Sequence, residues 1–230
     1  MLYRITLVLT LCILIAACSR SQDEEHIQVN HESQTSMATP IIAEAPDGVD
    51  IAATVHSTGQ VNVVLVHGWM CDQTYWASQA SALSGNFGVV TVDLAGHGLS
   101  GIDRQNWTTA SLGNDVAAVI TQLQLENVIV VGHSMGGRVG LEVARQLPGT
   151  VVAVVGVDTL HDADAELDPE EVGGFLAGFE ADFIATCDGF VRSMFGEQAA
   201  ENLVNGVVID MCSGPGEIGT ELIRNYVTYD

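Results

Sequence analysis

The chain has 230 residues, with 29 acidic side chains against seven basic ones, all of them arginine, and a formal net charge of −22. A field of that sign repels nucleic acid and anionic lipid head groups and argues against a polyanionic substrate. The length beyond residue 46 suits one domain with a sizeable core.

Residues 1–17 read as a leader. Arg4 gives a short positive start, Ile5–Ile15 is an apolar run, and Ala16-Ala17-Cys18 follows. An apolar run of about 7–15 residues ahead of small residues is a secretory signal, too short to span a bilayer as a helix. "IAAC" also resembles the lipobox of bacterial lipoproteins. That resemblance implies acylation of Cys18 and a membrane-anchored protein of the bacterial envelope; Ser19 after it resembles the outer-membrane sorting class, facing the periplasm. Residues 18–46 are polar and mixed, without an apolar period, and are expected to form a flexible tether.

From residue 47 to 163, short apolar runs alternate with helical patterns. The predicted strands are Val49–Ser57, Val61–Val66, Phe87–Leu94, Asn127–Gly132 and Val151–Leu160. Near-continuous apolar strands are what a sheet covered on both faces requires. Between them, Leu112, Val116, Ile120 and Leu123 share a helical face, with Ser111 as the expected N-cap; Val139, Val143 and Leu147 form a second stripe, stopped by Pro148-Gly149. Such strand–helix–strand repeats predict an α/β fold with a doubly wound, mostly parallel sheet. From 164 to 230 no strong strand is visible. Four amphipathic stretches split by Gly and Pro predict a helical subdomain.

The chemistry gathers at three strand ends. "VIVVGHSMGG" carries Gly132-His133-Ser134-Met135-Gly136, a G-x-S-x-G turn between a buried strand and a helix. This is the context of a nucleophile elbow, with Ser134 as nucleophile and Gly132 and Gly136 where side chains would crowd the turn. The Met135 N–H at the helix start is one half of an oxyanion hole. "LVHGWM" ends the central strand and offers the Trp69 N–H, after Gly68, as the other half. "VDLAGHGLSG" ends the next strand at the same carboxyl edge, where open parallel sheets bind ligands.

HGW, D-x-x-G-x-G-x-S and GHSMGG in this order resemble the α/β-hydrolase superfamily, in the serine-nucleophile, lipase/esterase-like branch that also includes haloperoxidase-like members. The resemblance covers about 49–160, and the helical stretch after it is similar to the family's cap. It implies that Ser134 attacks a small ester or related acyl compound while the Trp69 and Met135 amides hold the oxyanion. A serine there excludes the aspartate-nucleophile members of the fold. Of the other candidates, His133 is expected to point away from the active face, His67 to brace the oxyanion loop, His97 to be structural within the glycine-rich loop, Asp93 to anchor that loop, and Arg138 to be an ion-pair or surface residue. The tryptophans Trp69, Trp76 and Trp107 are read as acyl-pocket lining or core.

Ser134 also needs a base and an acid. The sole histidine after it is His161, three residues beyond Asp158. Both are candidates, but they share one loop ahead of the cap, whereas the family places acid and histidine on separate later loops. The expectation is that two further strand–helix units and the triad partners lie beyond residue 230. Two other functions stay open: a non-catalytic ligand-binding or sensor member of the fold, and a haloperoxidase- or perhydrolase-like enzyme. Neither CxxC nor a histidine cluster suggests a metal, and no G-x-G-x-x-G suggests a dinucleotide, so no cofactor is expected. With Cys18 lipidated, either Cys187 and Cys212 pair and leave Cys71 free, or all three are buried thiols.

Overall fold

The computed structural model describes residues 38–160 and 168–228. Six strands form one sheet: β1 (Thr39–Glu44), β2 (Asp50–Ser57), β3 (Asn62–Val66), β4 (Gly88–Val92), β5 (Val128–His133) and β6 (Val151–Val157), in the order β1-β2-β4-β3-β5-β6. β3 is parallel to β4 and β5, and β5 to β6, while β1–β2 and β2–β4 are antiparallel. Three helices flank the sheet: α1 (Ala77–Leu83), α2 (Thr109–Gln122) and α3 (Met135–Gln146). α2 and α3 contribute Leu112, Val116, Val139 and Val143 to the same core as Val64 and Val130, whereas α1 packs Ala80 with Trp76 against Leu65 and Val89. Every residue of β3 and β4 is buried, as their apolar runs require.

The structure corrects three expectations. The tether stops short of residue 46: Thr39–Glu44 pairs with Val55–Asp50, so "TPIIAE" is an edge strand. Its pattern is too short and mixed to announce a strand without its partner. The N-cap of α2 is Thr108, not Ser111. Thr108 Oγ1 accepts from the Ser111 N–H at 3.0 Å and Ser111 Oγ from the Thr108 N–H at 3.0 Å, a capping box with serine in the place of the usual Glu or Gln. β6 is apolar throughout yet open on both faces: Val152, Val155 and Val157 are 57%, 45% and 40% exposed. Among the described residues no strand pairs with its outer edge.

Four helices build the cap: α4 (Pro169–Ala181), α5 (Phe183–Ser193), α6 (Glu201–Cys212) and α7 (Gly216–Val227). α4 starts on Asp168, whose carboxylate accepts from the Glu170 and Glu171 N–H groups with Pro169 at the first helical position; Asp182 caps α5 in the same way. A disulfide joins Cys187 of α5 to Cys212 of α6, and Cys71 is free and buried. The inner face is aromatic: Phe175, Phe179 and Phe190 stack edge-to-face on one another, and Phe183 lies against Phe179.

Candidate active site

Ser134 sits between β5 and α3 with φ 50° and ψ −119°. A non-glycine residue held there costs about 1–3 kcal/mol, which the surroundings must over-determine. They do so by close approach: a Cβ on Gly132 would lie 2.1 Å from the Gly136 carbonyl oxygen, and one on Gly136 would lie 2.5 Å from the carbonyl oxygens of both Val66 and His67. The two glycines therefore let the elbow fold on itself and α3 start against the end of β3. The loop after β3 lies on the elbow as well, because a Cβ on Gly68 would fall 3.2 Å from Ser134 Cβ and 2.9 Å from His133 Nδ1. Gly68 and Met135 thus flank the serine, one from the loop after β3 and one from the start of α3. Met135 opens α3, where a helix carries unpaired N–H groups and the positive end of its dipole.

The loop after β3 is tied to the neighbouring 93–101 loop by two buried histidines. His67 Nδ1–H donates to the Gly68 carbonyl at 2.8 Å, and Nε2 accepts the Leu94 N–H at 3.1 Å. His97 Nδ1–H donates to the Ala95 carbonyl at 2.9 Å, and Nε2 accepts the Met70 N–H at 3.2 Å. A carbonyl only accepts and an amide N–H only donates, so each ring is the neutral Nδ1–H tautomer. Protonation would aim a second N–H at a donor. Burial accordingly pushes His67 down to about 4 and His97 down to about 3. Neither ring has a free nitrogen for proton transfer. Asp93 completes the brace, accepting from the Gln73 N–H at 2.7 Å, Gln73 Nε2 at 2.9 Å and the Leu99 N–H at 3.0 Å.

The other candidates fall elsewhere. His133 is half-buried, its pKa lowered by burial, and lines a cavity of about 220 Å³ with Gly68, Tyr75 and Val157. Asp158 follows β6 with φ 49°, next to Val157, whose carbonyl accepts the Ser134 N–H at 3.0 Å. His161 lies outside the described residues, as do Cys18 and the leader. Burial pushes the Cys71 thiol up to about 12, so it is no competing nucleophile. Trp76 and Trp107 are core residues, and Trp107 also lies 5.7 Å from the Arg104 guanidinium. Arg104 is itself buried and forked between Asp47 and Asp115, a network that ties the β1–β2 turn to α2. No periodicity signals such a pairing, and sequence reasoning passed over it. Among the described residues no group of three His, Cys, Asp or Glu side chains could hold a metal.

Trp69 and Arg138 carry contacts to the cap that the sequence does not announce. The Trp69 indole is 4% exposed, ringed by Phe179, Phe183 and Phe190, and its Nε1–H donates to the Gly219 carbonyl of α7 at 2.8 Å. It is a cap anchor. Arg138, one turn beyond Ser134, stacks 4.4 Å from the centre of the Tyr226 ring and donates to the Tyr226 carbonyl.

A strand–elbow–helix serine under a helical cap, on a mostly parallel sheet, defines a class. The alpha/beta hydrolase fold family model matches residues 61–196, and the chain belongs to that family. Over 98 residues it is 37% identical to an sn-1-specific diacylglycerol lipase of Xenopus laevis, covering 42% of this chain and 31% of that protein. Over 148 residues it is 29% identical to a pimeloyl-[acyl-carrier protein] methyl ester esterase of Proteus mirabilis, covering 62% and 55%. A bromoperoxidase from Bacillus anthracis superposes with a TM-score of 0.71 at 25% identity, over 84% of this chain and 75% of that one. The matches span 26–55% of the length of these and similar curated relatives. Its relatives include hydrolases and esterases of this fold.

Proposed function

We propose that the protein is a serine hydrolase of small carboxylic esters or related acyl compounds. Ser134 Oγ attacks the acyl carbon, the Trp69 and Met135 N–H groups hold the oxyanion, and water releases the acyl group from the serine. The strained backbone of Ser134 carries this reading, because such a conformation at the end of a buried strand has no packing purpose. The chain's similarity to an esterase and a lipase supports the ester class. The attack also needs a base and an acid. The locked rings of His67 and His97 leave them no part in that proton transfer. Protein carrying a complete triad is expected to react covalently with a fluorophosphonate at Ser134; folded protein of that kind that stays unlabelled rejects the proposal.

Two other readings have specific support. The likeness to a bromoperoxidase favours peracid formation, which peroxide-dependent oxidation assayed beside ester hydrolysis separates. The want of a placed base among the described residues favours ligand binding without turnover, for which binding must survive Ser134→Ala. We further propose that acylated Cys18 anchors the protein in the bacterial envelope, facing the periplasm; Cys18→Ser is then expected to move it to the soluble fraction.

A further inference from the structure

The two halves of the oxyanion hole belong to segments far apart in the chain, yet one cap helix grips both. At its start, α7 accepts the Trp69 indole N–H on the Gly219 carbonyl, a buried bond of 2.8 Å across 150 residues. It sits on the oxyanion loop without a gap: a Cβ on Gly219 would lie 3.0 Å from Met70 Sδ and 2.7 Å from the Phe183 ring. At its end, the Tyr226 carbonyl and ring hold Arg138 in the first turn of α3. One residue earlier, Asn225 Oδ1 accepts from Thr109 at the start of α2, through the backbone N–H at 2.8 Å and the hydroxyl at 3.1 Å. A helix of 12 residues spans about 18 Å and is stiff over that length. The histidine braces tie the oxyanion loop to residues 94–97 and not to α3. At their roots the loop and the elbow also meet through the β3–β5 pairing that ends at Val66 and Gly132 and through Gly136 against the Val66 and His67 carbonyls, and further out only through van der Waals approach at Gly68.

We infer that α7 is a splint that sets the separation of the Trp69 and Met135 amides, with the Trp69 indole, Arg138 and Tyr226 as its positioning contacts. The cap then does more than cover a substrate: displacing α7 moves the hole apart, so oxyanion stabilisation is coupled to cap docking. The catalytic consequence rests on the serine-hydrolase reading; the mechanical one does not.

The test uses protein carrying its complete triad, with p-nitrophenyl acetate as substrate. Trp69→Phe removes the indole N–H but keeps an aromatic ring among the phenylalanines. Arg138→Met removes the guanidinium. Each is expected to lower kcat about 10–100-fold with KM within about twofold, because the hole matters most in the transition state. The double variant is expected to be no worse than the poorer single one, since either change already frees the splint. Arg138→Lys restores part of the rate. Amide hydrogen exchange reads the splint without catalysis: Arg138→Met is expected to speed exchange about tenfold across residues 67–71, a loop that Arg138 does not touch. Unchanged exchange there, in this variant or in Arg138→Gln should the first not fold, overturns the inference; so do multiplicative losses in the double variant. Wild-type protein that is not labelled by a fluorophosphonate defeats the hydrolase reading alone, and the exchange result still decides the splint.

Discussion

The two sides of Ser134 are built very differently. On one side, the loop after β3 is held by two neutral histidines, by the Asp93 brace and by the cap through Trp69. On the side toward β6, the sheet ends in valines open to solvent. The closed side is fixed by redundant, buried contacts, the condition under which backbone donors do not reorganise. The open side leaves an apolar strand uncovered among the described residues.

The contrast can be broken at several points. The largest effect is expected from Ser134→Ala, which leaves the closed side intact; in protein with a complete triad, ester turnover should fall at least about 10⁴-fold while the melting temperature holds or rises. Next, Arg104→Met strands the Asp115 carboxylate, fully buried beneath the 95–107 segment, and should cost about 3–5 kcal/mol in urea unfolding. An equal loss of stability without loss of activity would show that this segment does not support the hole.

The histidine braces make the closed side sensitive to acid. His97 titrates near 3 when folded against 6.5 when exposed. Between those values the unfolded chain binds a proton that the native chain refuses. Its contribution is whole above pH 6.5 and is lost as pH falls toward 3. Urea titrations from pH 7 to 5 should show His97→Phe with a slope shallower than wild type by about 1 kcal/mol per pH unit on average. Parallel slopes would mean that the ring is not the neutral acceptor of the Met70 N–H.

The smallest effects test the sheet itself. Val64→Ala in β3 removes fully buried methyl groups and should cost about 2 kcal/mol, whereas Val155→Ala in β6 should change stability by under about 0.5 kcal/mol.

Much of this was legible beforehand where one short segment carries its own reason. The G-H-S-M-G turn, the central apolar strands and the roles of His67, His97 and Asp93 each rest on local chemistry. β1 and α1 were not legible: "TPIIAE" needs β2 beside it to be a strand, and "ASQASAL" has no apolar stripe to announce a helix. The Thr108 cap was missed because the helical pattern was counted from its first large apolar residue. For Trp69 the backbone role was readable from the motif, but the indole's role was not.

By itself, then, the sequence determined the family, the order of the parallel strands' apolar runs and the serine on its turn, because glycine spacing and hydrophobic period act over a few residues. Only the tertiary structure decided which contacts hold that serine's neighbours. Trp69 meets Gly219 and Arg138 meets Tyr226 because α7 folds back across the carboxyl edge of the sheet, and a hydrogen bond spanning 150 residues leaves no periodic trace in the chain that makes it.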